Sequence, residues 1–237
     1  MKTYTTPAGE SYKLYDNVLS GYHAMIAGAT GSGKSVMING LISRLLYSFP
    51  DKIKLVLIDP KMVELYRYSK IPHCIYYASG QNEIANGLQG LVSLMMDRYA
   101  EMRRNDLRKT SRCKIYVIID EYASICQNRL AVDALRKIAE LGRAANIFII
   151  LATQRPTAEV IDKRIAVNID TRLALRTATA QDSRNIIGTA GAEKLPRHGA
   201  ALLQSPDYLT PVRVSVPLIP DDELNRLINH WKAQYKQ

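Results

Sequence analysis

The sequence has only three cysteines, Cys74, Cys113 and Cys126, and its histidines, His23, His73, His198 and His230, each stand alone. An odd number of thiols without ligand spacing gives no disulfide framework, and scattered imidazoles give no metal cluster, so these read as packing or surface residues. No apolar run approaches the roughly 20 residues that span a bilayer, and Met1 to Ser20 is polar and tyrosine-rich rather than signal-like. A soluble, cytoplasmic chain with no membrane segment of its own is therefore expected. Internal repeats, low-complexity tracts and Gly/Ser linkers are missing as well. The 237 residues are 47% hydrophobic, ample for a core, and a single domain over 1–237 is the expectation. Acidic residues are scarce, 22 against 32 basic ones, for a net charge of +10. That balance favours a polyanionic partner, nucleic acid first, although solubility alone is the plainer explanation.

Short apolar β-type runs alternate with longer helical patterns, which predicts an α/β fold with a mostly parallel central sheet and helices on both faces. His23 to Ala27, Lys54 to Ile58, Ile115 to Asp120, Ile147 to Ala152 and Arg172 to Leu175 read as strands. Lys34 to Tyr47 and Ala131 to Ala144 read as helices. From Gln81 to Arg104, Ile84, Leu88, Leu91, Met95, Tyr99 and Met102 step by threes and fours, the stripe of one long amphipathic helix. Asp221 and Asp222 open a final helix ending near Trp231, and Ala200 to Val216 reads as β-type pairing, with the sheet edge as one place for it.

Gly28 to Ser35 reads GATGSGKS, a phosphate loop preceded by an apolar strand and followed by a helix pattern. Its glycines let backbone N–H groups turn inward on an anion, so Gly28, Ala29, Thr30, Gly31, Ser32, Gly33, Lys34, Ser35 and Val36 form the candidate nucleotide site. A glycine turn alone leaves Lys34 unexplained, because a cation at a helix start opposes the dipole unless an anion is bound. Asp120 ends the run IYVII and is expected at the carboxyl end of a central strand, holding Mg²⁺ together with Ser35. Glu121, one residue on, is the candidate general base for water attacking the γ-phosphate of ATP. A carboxylate pair that merely ends a strand or caps a helix is the plainer alternative. Gln154, after the strand IFIILAT, is a candidate γ-phosphate sensor, or simply a polar turn residue before Pro156.

GATGSGKSVMINGLI, LVLIDPKMVEL, IPH at Ile71 to His73, IIDEYA, GRAANIFIILATQRP and NIDTRLALRTATAQDSRNIIGTAGAEKL together resemble the motor domain of the FtsK/SpoIIIE DNA translocases, over roughly Tyr22 to Trp231. The resemblance implies a RecA-like P-loop NTPase, a homo-hexameric ring with nucleotide between subunits, and ATP-driven passage of double-stranded DNA. It also implies that Arg143, in GRAANI, reaches the neighbouring subunit's γ-phosphate, where a guanidinium fork suits developing phosphate charge. Arg136, Glu140 and Arg143 as an ordinary solvated helical face is the alternative, and Arg172 is the runner-up for a nucleotide or boundary contact. Lys163 and Arg164 lie in the segment that faces the ring interior in similar motors and are candidate DNA contacts. The basic stretch of Arg98, Arg103, Arg104, Arg108, Lys109, Arg112 and Lys114 reads equally as a phosphate-contacting patch or a solvated helix end.

Family members acting in chromosome segregation carry a membrane region before this domain and a winged-helix domain after it, and this chain shows neither. The expectation is a stand-alone motor serving a mobile element in conjugation or in plasmid or phage DNA transfer, with separate proteins supplying the anchoring or DNA-reading parts. Two other readings stay open: a secretion-type ATPase with protein cargo, and a scaffold that binds ATP and DNA without stepping. Guanine specificity has no support, since no NKxD string follows the phosphate loop.

Overall fold

Strings such as KLVLI, IYVII and IFIILAT put aliphatic side chains on both faces of an extended chain, and only a strand covered on both sides can bury them all. The computed structural model describes residues 12–157 and 159–234; of the polar N-terminal stretch, residues 1–11 lie outside them. The elements in order are α1 (Tyr12–Val18), β1 (Ala24–Ala27), α2 (Lys34–Ser48), β2 (Ile53–Ile58), β3 (Cys74–Ala78), α3 (Gln81–Arg104), β4 (Lys114–Ile119), α4 (Arg129–Leu141), β5 (Ile147–Thr153), α5 (Lys163–Ala166), β6 (Thr171–Ala174), α6 (Ala180–Ile187), β7 (Ala200–Gln204), β8 (Val212–Ser215) and α7 (Asp221–Gln234).

The strands form one eight-stranded sheet in the order β3-β2-β4-β5-β1-β6-β7-β8. Pairing is parallel from β3 through β6, and β7 and β8 add an antiparallel edge. The sheet separates two cores. Ile115, Val117 and Ile119 of β4, with Ile147, Ile149 and Leu151 of β5, face α3 to α6; Tyr116, Ile118, Phe148 and Ile150 face α1, α2 and α7. The stripe on α3 faces the first core, and Tyr99 at its rim donates its hydroxyl to the Leu141 carbonyl at 2.8 Å.

Element ends depart from the sequence reading by a residue or three. Asn128 accepts from the Ala131 N–H, which starts α4 at Arg129, two residues before Ala131, and α4 closes at Leu141. Four elements were not expected at all: α1, β3, α5 and α6. Among them β3 is an edge strand with Ile75 and Tyr76 in solvent, so its pattern lacks a buried alternation. The last of them, α6, opens with Thr179 and Asp182 capping each other's backbone.

His23 precedes β1 and is fully buried, and its Nδ1 accepts the Ile149 N–H at 2.9 Å, which puts the ring proton on Nε2. Burial foremost, then the Arg143 charge, pushes the imidazole down to about 4 against the raising effect of the Ala139 carbonyl. A folded pKa below the unfolded value of 6.5 means that only the unfolded chain takes up this proton between those limits. Stability is then complete above pH 6.5 and falls as the solution is acidified toward 4. Urea titrations should show a loss of about 2 kcal/mol from this residue between pH 7 and pH 5. In His23→Asn, whose Oδ1 can take the same N–H, that slope should flatten; an unchanged slope would mean that His23 is not the titrating group.

Candidate nucleotide and hydrolysis site

The phosphate loop connects β1 to α2 at the carboxyl ends of the parallel strands. Gly31 and Gly33 have φ of 73° and 99°, the left-handed region that a side chain resists. Gly28 is required for a different reason: a Cβ there would sit 2.6 Å from Ser32 Oγ and 2.7 Å from Leu175 Cβ. Among the described residues, the N–H groups of Gly31, Gly33, Lys34 and Ser35 make no backbone hydrogen bond, leaving a row of donors at the start of α2. Those donors, the positive-φ glycines and the Lys34 ammonium are what a polyphosphate needs, so the residues fit ATP.

Beneath the loop, Lys34 Nζ donates to Asp120 Oδ1 at 2.8 Å, with both side chains buried. Here an internal carboxylate answers the cation's conflict with the helix dipole. Asp120 lies one residue past β4 and its N–H continues the ladder to the Ile58 carbonyl at 2.9 Å, which fixes it in the centre of the sheet edge. Its second oxygen and the Ser35 hydroxyl are hard oxygen donors, the kind Mg²⁺ takes, so these residue types fit the ion.

Glu121 is a non-glycine residue at φ 67° and only 4% exposed. Its Oε1 accepts from Thr153 Oγ1 and from the Gln154 N–H, each at 3.1 Å; its Oε2 lies 3.0 Å from Lys61 Nζ and 3.9 Å from Lys34 Nζ. Burial alone would raise this carboxyl, but the Gln154 N–H and the Lys61 and Lys34 charges together hold it below the ordinary carboxylate value. It is therefore an ionised carboxylate with aimed oxygens, the form a proton acceptor must take. Gln154 also closes the site from above, its Oε1 accepting from Thr30 Oγ1 of the phosphate loop at 2.9 Å.

The structure thus brings together the phosphate loop, Asp120, Glu121 and Gln154. Val36 is half-buried beside Ser35 and Asn39 in a cleft of about 490 Å³ that runs toward Met62 and Tyr66. Arg143 is elsewhere: it precedes β5, at the amino ends of the strands, and pairs with Asp170 at 2.8 Å. Lys163 and Arg164 line a groove between α4 and α5 together with Arg129 and Arg136. Arg172, the runner-up for a nucleotide or boundary contact, is half-buried and directs Nε, Nη1 and Nη2 to the carbonyls of Ile169, Ile186 and Ala166 within its own chain. In the stretch from Arg98 to Lys114, Arg103, Arg104, Arg108 and Lys109 are exposed, but the other three basic residues are engaged within the chain. Arg98 is buried against the Cys113 and Ala145 carbonyls, Arg112 pairs with Glu101, and Lys114 lies 5.8 Å from the centre of the Phe148 ring.

Sequence reasoning missed Lys61 and Thr153 as partners of Glu121. Lys61 sits in the string DPK, but its closeness to Glu121 depends on β2 and β4 being neighbours, which no local pattern gives. It also missed Arg197, whose Nη2 lies 3.5 Å from where a Cβ on Gly31 would stand, at the outer side of the loop.

The sequence profile of the FtsK/SpoIIIE family matches residues 9–201. The chain belongs to the FtsK/SpoIIIE family. A DNA translocase FtsK of Streptococcus pyogenes serotype M3 is 37% identical over 235 residues, covering 90% of this chain and 29% of that protein. This FtsK/SpoIIIE chain therefore spans under a third of that relative's length. Among solved structures, the pCW3 conjugation coupling protein TcpA, in a monomer form with ATPγS, aligns with a TM-score of 0.78 at 23% identity, over 89% of this chain and 65% of that one. EssC (ATPases 2 and 3) from Geobacillus thermodenitrificans aligns with a TM-score of 0.79 at 18% identity, over 92% and 45%. At these identities the likeness concerns the fold, that of P-loop ATPases. No helix among the described residues is long and apolar enough to cross a membrane.

Proposed function

We propose that this FtsK/SpoIIIE chain hydrolyses ATP to move double-stranded DNA, as one subunit of a homo-hexameric ring in the cytoplasm, with 1–237 acting as a single motor domain. The observation that carries this reading is the buried cluster of Lys34, Asp120 and Glu121 under a donor-lined phosphate loop. Bound ATP supplies the transferable phosphoryl group, and Mg²⁺ supplies charge neutralisation. Lys34 and the loop N–H groups hold phosphate, Ser35 and Asp120 hold the metal, Glu121 accepts the proton of the attacking water, and Gln154 orients toward the γ-phosphate. Arg143, at the far end of the sheet from its own loop and exposed, is suited to serve a neighbour's site, which would make turnover depend on assembly. Lys163 and Arg164, solvent-facing at the start of α5, are the proposed DNA-backbone contacts. The name of the neighbour TcpA, a conjugation coupling protein, supports work for a transferring element.

Purified protein should show DNA-stimulated ATP turnover and should displace the third strand of a DNA triplex in an ATP-dependent way. Turnover without displacement would overturn stepping, and stimulation by a protein substrate but not by DNA would favour the cargo class named for the secretion ATPases. Charge reversal at Lys163 and Arg164 removes two phosphate contacts and should lower the salt dependence of DNA binding by about 1.8 in log–log slope. An unchanged slope would take this pair off the DNA path.

A further inference from the structure

In the loaded site, Glu121 would share a dry space with a triphosphate and with Asp120, and Lys34 would turn from the carboxylates toward phosphate. A buried carboxylate among anions keeps its pose only if another cation stays with it. Lys61 is placed to be that cation. It follows β2, whose end is tied down: Asp59, fully buried, accepts the Glu64 and Leu65 N–H groups on Oδ2 at 3.1 and 2.9 Å, and the Met62 N–H bonds the Asp59 carbonyl at 3.1 Å. That turn, with Met62 at φ 55°, aims the Lys61 side chain across the top of β4. Its Nζ reaches Glu121 Oε2 at 3.0 Å, while half of its side chain stays in solvent, on the side of Glu121 away from Thr153 and Gln154.

We propose that Lys61 is a positioning residue for hydrolysis: it holds Glu121 in its water-facing pose once Lys34 is engaged with phosphate. The proposal rests on Glu121 being the general base. Oε1 is fixed by β5 through neutral donors, and Oε2 by one ammonium from the β2 turn. Removing the ammonium leaves a one-sided anchor on a charge that its neighbours repel.

The test measures steady-state ATP turnover, binding of a fluorescent ATP analogue, and melting of the nucleotide-free protein for Lys61→Ala, Lys61→Arg, Glu121→Gln and the Lys61→Ala/Glu121→Gln pair. Lys61→Ala should lower kcat about ten- to a hundredfold, the usual worth of a hydrogen bond to a charged group, with analogue affinity unchanged. Lys61→Arg should regain most of the loss, because a guanidinium can still reach Oε2. In the nucleotide-free protein the melting shifts should be non-additive, Lys61→Ala costing less once Glu121 is neutral. Parental turnover in Lys61→Ala beside an inactive Glu121→Gln would overturn the role of Lys61 and leave the general-base reading standing. An active Glu121→Gln would overturn both. Equal losses in Lys61→Ala and Lys61→Arg, or a parallel fall in analogue affinity, would reduce Lys61 to a structural contact.

Discussion

Glu121→Gln is expected to bind ATP as tightly as the parent and to turn it over at least about a hundredfold more slowly. The two halves of that result have separate physical origins. Binding is carried by the loop N–H groups and Lys34, and none of these donates a hydrogen bond to Glu121, whose donors are Thr153, Gln154 and Lys61. The amide keeps an oxygen to accept from Thr153 Oγ1 and the Gln154 N–H, so the side chain keeps its shape and place. It has lost only basicity and the attraction of Lys61 and Lys34. Phosphate release at the parental rate by well-folded protein would sink the assignment of Glu121; a drop in turnover tracking a drop in nucleotide affinity would show that the residue holds substrate instead.

The second large effect concerns Lys34→Met. Without nucleotide, this change leaves Asp120 buried beside Glu121 with its ammonium partner gone, and breaking such a pair costs about 3–5 kcal/mol. A smaller effect opposes it, since removing a cation from the start of α2 relieves about 0.3–1 kcal/mol of dipole opposition. Loss of the pair outweighs that relief, so the variant should unfold at lower urea than the parent. Adding Asp120→Asn should restore much of that stability by removing the stranded charge, yet neither variant should bind ATP. Urea titration and nucleotide titration on the same preparations give both readouts. A single variant as stable as its parent would mean that the buried pair contributes nothing in the free protein.

How much of this could be read from the residues varies with how local each signal is. The phosphate loop, the strand before it and the acidic pair after IYVII are contiguous strings, and the structure places them where strand–loop–helix logic puts them. The long α3 stripe was legible because its buried apolar residues lie on one face against a single core. What failed was of two kinds. Charge in sequence says nothing of burial, so Arg98, which spends its guanidinium on two carbonyls inside the protein, looked like part of a surface patch. Pairwise closeness set by strand order could not be seen either, which hid Lys61 and Thr153 beside Glu121. The cap of α6 was visible as Thr179-x-x-Asp182 and went unread because the helix it opens is only eight residues long.

The interior sheet strands are packed on both sides, with β1, β4 and β5 bearing almost no exposed side chain. Close-packed matter of this kind barely compresses. A fraction of an ångström of strand sliding would open voids against both helical layers at once, so β1, β4 and β5 behave as an anvil. If the site drives a motor as proposed, the work would pass sideways, into the turns that rim the sheet.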